Sequence, residues 1–237
     1  MRNKYTYNVI GGMIMELKNP LYKNMGIHVI CSLFTVDKGV LKILLIKRKN
    51  EPYKDKWALV GGALYNNETV EDGIKREIYE KTGLRDVNLY FSNIESEINR
   101  SPLKRMVAIN YIGIIDKESS ILKDTKKTSN ADWFILDNVK DLAYDHEKIL
   151  ESAKNNLKKL IVSSNVLKEL FPSGFTLPEL QKTYEGILER KVDRRNFRKK
   201  LLSLGLIKET NKTEVFNGKK PAKKYVFNEV TEIKDMI

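Results

Sequence analysis

Glu77 and Glu80 lie three residues apart in the run REIYEKTG, a spacing that in a helix puts both carboxylates on one face. Such a pair offers oxygen ligands to a hard divalent cation such as Mg²⁺, and a cation so held can bridge the oxygens of a diphosphate. Arg76 precedes the pair, Gly62 and Glu68 stand upstream in GGALYNNETVEDGIKREIYEKTG, and Gly83 closes the segment. Lys81 works against that chemistry. Its ammonium falls beside the two glutamates, repels a metal and pairs with a carboxylate that the metal would need. Two readings follow: a diphosphate-cleaving site in which Glu68 or Glu97 helps Glu77 and Glu80 hold Mg²⁺, or a pocket that has kept the frame and lost the metal chemistry.

A second set of residues points to a polyanion. Residues 190 to 224 include thirteen Lys or Arg and three acidic residues, a local net charge of +10 within a chain total of +12. Arg194, Arg195, Asn196, Arg198 and Lys199 share one stretch that Asp193 is placed to cap as a helix, with Phe197, Leu201, Leu202 and Leu204 spaced to face a core. Lys219, Lys220 and Lys223 fall in NKTEVFNGKKPAKK, a polar tip between two strand-like runs. Cations on a helix and on an adjoining hairpin tip can grip phosphates, while arginine and asparagine can reach guanine and adenine edges in a major groove. A solvated face is the competing reading of any charge run; here charge coincides with both the helix and the tip, which favours double-stranded DNA. RNA binding has no aromatic stacking motif in its support.

The elements that must position these residues follow from periodicity. Two apolar, β-branched runs, IHVICSLFTV and VLKILLIKRK, are joined by a Gly-containing turn at residues 37 to 39 and predict a hairpin that delivers Arg48 to one end. WALVGG predicts a short strand, and Thr69, Asp72 and Gly83 bracket a helix with cap and stop. Strands are expected over VNLYFSNIES, KRMVAINYIGII and ADWFILDNV, and a helix from Asp145 that breaks near residues 163 to 165, with Tyr144, Asp145 and His146 starting it by capping. Several strands with one β-helix-β passage predict an α+β layer fold with a mixed sheet. Further on, Thr176 with Glu179 reads as a capping box, Asp193 as an N-cap and Gly205 as a stop. Three helices and a two-stranded hairpin are the order of a winged helix. The expected divisions are an N-terminal extension over residues 1–24, a first domain over 25–158 and a second over 159–237.

Composition sets the bounds. A chain of 237 residues, 41% hydrophobic and 31% charged, is long enough for two cores. Cys31 is the single cysteine, so no disulfide forms within the chain; it sits in an apolar run, where packing is the simpler role than nucleophilic chemistry. Two histidines, His28 and His146, exclude a histidine-rich zinc site. No stretch approaches the roughly 18 apolar residues of a membrane span and the N-terminus lacks a signal-peptide core, so a cytoplasmic protein without membrane contact is expected.

Gly62, Glu68, Arg76, Glu77, Glu80 and Gly83 together resemble the Nudix box of hydrolases that cleave nucleoside diphosphates linked to a further group; six of its seven fixed glycine, arginine and acidic positions are in register, with apolar Ile78 and Leu84. Two departures stand out: Lys81 replaces a principal metal ligand, and Val60 replaces the proline that usually precedes the two glycines. The resemblance implies an α/β/α sandwich, metal ligands at Glu77 and Glu80, and an orienting ion pair from Arg76. KDKWALVGG, NRSPLKRMVAINYIG and ADWFILDNVKDLAYDHEKIL are similar to segments of the ADP-ribose pyrophosphatase branch, which implies that Arg100 and Arg105 lie near a ligand's phosphates or ribose. With Arg48 and Gly62 they make the expected ligand set. FTLPELQKTYEGILERKVDRRNFRKKLLSLGLI followed by KKPAKKYVF resembles the Nudix-related transcriptional regulators of the NrtR type. That resemblance implies a Nudix domain sensing a nucleotide-like or sugar-phosphate metabolite, with ADP-ribose, the effector of the NAD branch, favoured, and a homodimer binding operator DNA with no cofactor required. Mg²⁺ enters only if hydrolysis survives, and an active ADP-ribose hydrolase is the alternative.

Overall fold

The structure, a computed structural model, describes residues 25–123, 130–218 and 220–229. The extension expected over residues 1–24 and the candidate DNA contact Lys219 lie outside the described residues.

The two β-branched runs form the predicted hairpin, β1 (Gly26–Asp37) and β2 (Val40–Lys47), antiparallel through a turn in which Lys38 and Gly39 both take positive φ. β1 is the hub of a seven-stranded sheet. It pairs with β2 and β4 (Val60–Ala63) antiparallel and with β6 (Met106–Ile114) parallel; β5 (Asn88–Glu95) flanks β6, while β3 (Trp57–Ala58) and β7 (Asn130–Ile135) flank β2. Side chains alternate along β1, so its two faces feed two cores. Val29, Cys31 and Leu33 pack with Ile74 and Ile78 of helix α1 (Val70–Thr82); Ile30 and Phe34 pack with Ile149, Ala153 and Leu157 of helix α2 (His146–Ser163). The result is the expected α/β/α sandwich with a mixed sheet. Each fully buried Leu, Ile or Phe in it contributes roughly 1.5–3 kcal/mol. Burial also pushes the Cys31 thiol pKa far up, which leaves it a packing residue.

α1 begins where Thr69 Oγ1 accepts from the Asp72 amide and ends at Gly83, whose φ of 74° is one that only glycine takes without strain. The loop and helix carrying the candidate chemistry are thus fixed at both ends by residues legible in the sequence.

α2 breaks after Ser163, and the chain passes into a 3₁₀ turn (Val166–Leu170). The division expected between residues 158 and 159 falls inside this continuous helix. Its Leu157 and Ile161 share one apolar cluster with Leu180 and Tyr184 of the second unit, so α2 serves both cores. Beyond it come β8 (Phe175–Thr176), α3 (Leu177–Leu188), α4 (Arg194–Ser203), β9 (Ile207–Glu214) and β10 (Ala222–Phe227). This is a winged helix whose first helix is the 3₁₀ turn and whose wing gains an unexpected third strand, β8 pairing with β10. Thr176 and Glu179 form the predicted capping box at the head of α3, and edge-on Tyr184 and Phe197 lock α3 to α4. Among the described residues, no helix is long and apolar enough to cross a membrane.

Candidate functional site

Arg76 organises the loop and helix that carry the carboxylates. Its guanidinium donates to both oxygens of Glu68 at 2.8 and 2.7 Å, to Glu77 at 2.6 Å, to Glu80 at 3.2 Å and to the Ala63 carbonyl at 3.0 Å, and it lies 3.8 Å from the Tyr65 ring centroid. These bonds, with one from the Tyr65 amide, hold the Glu68 carboxyl pKa down to about 2. Gly62 is required by the same arrangement: a Cβ there would come within 2.4 Å of the Glu77 carboxyl. Glu77 is buried between two cations. One oxygen accepts from Arg76 and the other lies 3.0 Å from Lys81 Nζ, which also donates to the Gly61 carbonyl. Arg76 therefore does what the resemblance implied, and more, since it binds three glutamates rather than one.

These residues do not fit a divalent cation. Both Glu77 oxygens face cations of the chain, Glu68 is taken by Arg76, and Glu97, a suggested helper, lies near Lys148 at 3.6 Å. Among the described residues, no group of three or more His, Cys, Asp or Glu side chains is gathered as a metal would need. Of the two glutamates expected as metal ligands, Glu77 has its oxygens turned to Arg76 and Lys81, and Glu80 accepts from Arg76 at Oε2.

Beside this network opens a cavity of about 420 Å³ lined by Arg48, Gly62, Lys81, Lys104 and, deeper, His28 and His146. Of the expected ligand set, Arg48 and Gly62 reach it. Arg48 is also a structural residue, donating to the carbonyls of Pro52 and Asn50 and lying over the Tyr144 ring. Arg100 and Arg105 do not line it. Arg100, with a side chain only 2% exposed, makes a bidentate pair with Asp145 at 2.9 and 2.8 Å, and Arg105 donates to the Glu97 and Met106 carbonyls. The reason is that a buried guanidinium needs a carboxylate, and Asp145 supplies one. Asp145 consequently makes no side-chain cap for α2, contrary to expectation.

His146 is buried and its Nδ1 accepts from the Leu59 amide at 2.9 Å, which fixes the neutral tautomer. Burial, then Arg100 and Arg48, lowers its pKa to about 3; burial, then Arg100 and Lys81, lowers that of His28 to about 4. Both present neutral imidazoles to the cavity at neutral pH. Lys104, His28 and His146 escaped sequence reasoning as ligand residues. Lys104 stands in the same NRSPLKRMV segment as Arg100 and Arg105, and only the fold tells which of the three lines the cavity.

In the second unit the basic residues gather. Arg194, Arg195, Arg198 and Lys199 of α4 and Lys220 and Lys223 of the wing line a groove of about 1300 Å³, floored by Leu177 and Pro178 at the head of α3. All six are exposed. The sequence folds this way because Asp193 caps α4 by accepting from the Asn196 amide, while Phe197 and Leu201 bury the opposite face. Asn196 is exposed but lies off the groove wall. Leu202, expected in the core, is 42% exposed and lines the groove instead. Lys223 pairs with Glu209 across the wing at 2.5 Å.

Residues 26–153 match the family description of the NUDIX domain, and residues 167–227 that of the NrtR DNA-binding winged helix domain. The chain is 32% identical over 200 residues to the ADPR responsive transcriptional repressor NtrR of Acinetobacter baylyi, covering 83% of this chain and 79% of that one. It is 41% identical over 110 residues to the ADP-ribose pyrophosphatase of Methanocaldococcus jannaschii, 46% of this chain and 64% of the relative. Its fold is similar to crystal structures of Shewanella oneidensis NrtR at 24% identity: alone, with a TM-score of 0.76 over 89% of this chain and 99% of that one, and complexed with a 27mer DNA, with a TM-score of 0.73 over 88% and 99%.

Proposed function

We propose, from the premise that this chain belongs to the NUDIX family and joins that domain to an NrtR DNA-binding winged helix, that it is an ADP-ribose-responsive transcriptional repressor acting inside the cell as a homodimer. The observation that carries the reading is the exposed basic groove between α4 and the wing, in a chain alike over most of its length to an ADPR responsive repressor. α4 enters the major groove, with Arg194, Arg195 and Arg198 facing bases and phosphates, and the wing lysines hold the flanking backbone.

The effector occupies the cavity beside α1. Strand β2 connects it to the DNA-binding unit: Ile46 and Arg48 line the cavity, while at the strand's other end the Lys38 carbonyl accepts from Lys182 of α3 at 3.0 Å. Glu189, at the end of α3, pairs with both Lys154 and Lys158 of α2. A ligand that favours one setting of this joint changes the spacing of the two α4 helices in the dimer, and with it operator affinity; the effect is a coupling free energy between two sites.

Fluorescence anisotropy with the chain's own promoter region, with and without ADP-ribose, tests this. Specific binding that ADP-ribose weakens or strengthens is expected, and the repressor reading fails if the promoter binds no better than random DNA. A second reading, hydrolysis of ADP-ribose, is supported by the 41% identity to a pyrophosphatase. Against it stand Lys81 and the two occupied Glu77 oxygens. Release of AMP in Mg²⁺, abolished by Glu77→Gln, would establish it.

A further inference from the structure

The disagreement between the Nudix frame and its missing metal site has a positive side. The place where a carboxylate would bring a divalent cation is filled by the side chain of Lys81, anchored by the Gly61 carbonyl and by Glu77 Oε2 at 3.0 Å. That anchoring fixes a positive charge at the cavity wall. Lys104 and Arg48 line the same cavity, with Glu51 as its one acidic lining residue among the described residues. Lys81, Lys104 and His28 line one cavity, and both lysines bear electrostatically on the His28 imidazole.

From this geometry we infer that Lys81 takes over the charge role of a metal: the cavity binds the diphosphate group of a nucleotide effector without any divalent cation, with the phosphates held between Lys81 and Lys104. The inference deepens the effector reading above and rests on it. A lysine ammonium is a compact point charge with three donors, suited to phosphate oxygens, and within a partly desolvated wall its attraction is stronger than in water. Gly61 and Gly62 line the cavity beside Lys81, and they are glycines because the Val29 carbonyl and the Glu77 carboxyl take the space a Cβ would need. Metal-dependent binding would respond to chelators; this cavity would not.

Isothermal titration calorimetry of the full chain with ADP-ribose, in EDTA and in Mg²⁺, reads the inference directly. The native chain is expected to bind with affinities equal within about twofold in the two buffers. Lys81→Gln and Lys104→Gln are each expected to weaken binding roughly tenfold. Lys104 is exposed, so its variant folds even if Lys81→Gln loses its anchor, and thermal melting checks both. Lys81→Glu is expected to bind poorly in EDTA and to recover roughly tenfold on adding Mg²⁺. Native binding that requires Mg²⁺, or native-like binding by both glutamine variants, overturns the inference. Inorganic pyrophosphate as a second probe separates it from the identity of the effector. Lysine-dependent pyrophosphate binding without ADP-ribose binding upholds the site and refutes ADP-ribose as effector; binding of neither refutes the site. DNA affinity, measured without ligand, judges the regulator reading on its own.

Discussion

The NUDIX domain and the winged helix both concentrate cations, and they use them in opposite ways. Around α1 and the cavity, Arg76 is bonded to three glutamates and Arg100 to Asp145, so these two cations are paired inside the fold. On α4, Arg194, Arg195, Arg198 and Lys199 are exposed along a groove wall whose acidic residue, Asp193, serves as helix cap. Paired, buried cations hold a shape; exposed cations on a rigid helix await a polyanion. A residue type alone does not distinguish the two cases, because the distinction lies in the partner.

Four variants test that contrast, in descending order of effect. Arg100→Ala should cost about 3–5 kcal/mol of folding stability in urea titration, because Asp145 keeps its charge in a largely buried position; a loss below about 1 kcal/mol would mean the pair is not structural. Arg195→Ala combined with Arg198→Ala should leave the melting temperature nearly unchanged and weaken operator binding by about 30- to 1000-fold in anisotropy. Unaltered affinity would remove the assigned DNA surface. His146→Asn tests the interior through pH. The pKa of His146 is depressed in the fold to about 3 from 6.5, so the unfolded chain takes up the proton first; the stability tied to the neutral ring is full above about pH 6.5 and is lost as pH falls toward 3. Between pH 7 and 5 the native chain should lose about 2 kcal/mol that the variant, with an amide oxygen in place of Nδ1, does not lose. Denaturation curves at the two pH values measure the difference, and equal losses would contradict it. Asp193→Ala should cost about 1 kcal/mol by removing the cap of α4, visible as a small fall in melting temperature.

Much of the fold was legible because its signals are local. Thr69 and Gly83 bound α1, Thr176 with Glu179 opens α3, and the turn at residues 37 to 39 joins β1 to β2, each as expected. The parallel pairing of β1 with β6 joins segments some eighty residues apart, and β8 is two residues long; neither leaves a periodic signature. The groove on the winged helix could be assembled from sequence since its cations share one capped helix and one hairpin. The cavity could not, since Arg48, Lys81, Lys104 and His146 come from four separate segments and each arginine's partner is set by tertiary contact. Arg100 and Asp145 are 45 residues apart, and nothing near either one announces the other.

The Arg76 network has a consequence for descent. Arg76 ties Glu68, Glu77 and Glu80 to the Ala63 carbonyl without using the side chain at position 81. Lysine and glutamate codons differ at a single base. A lineage built on this scaffold can therefore exchange a cation for a carboxylate beside Glu77 in one mutational step, which makes position 81 the place to look when comparing homologues.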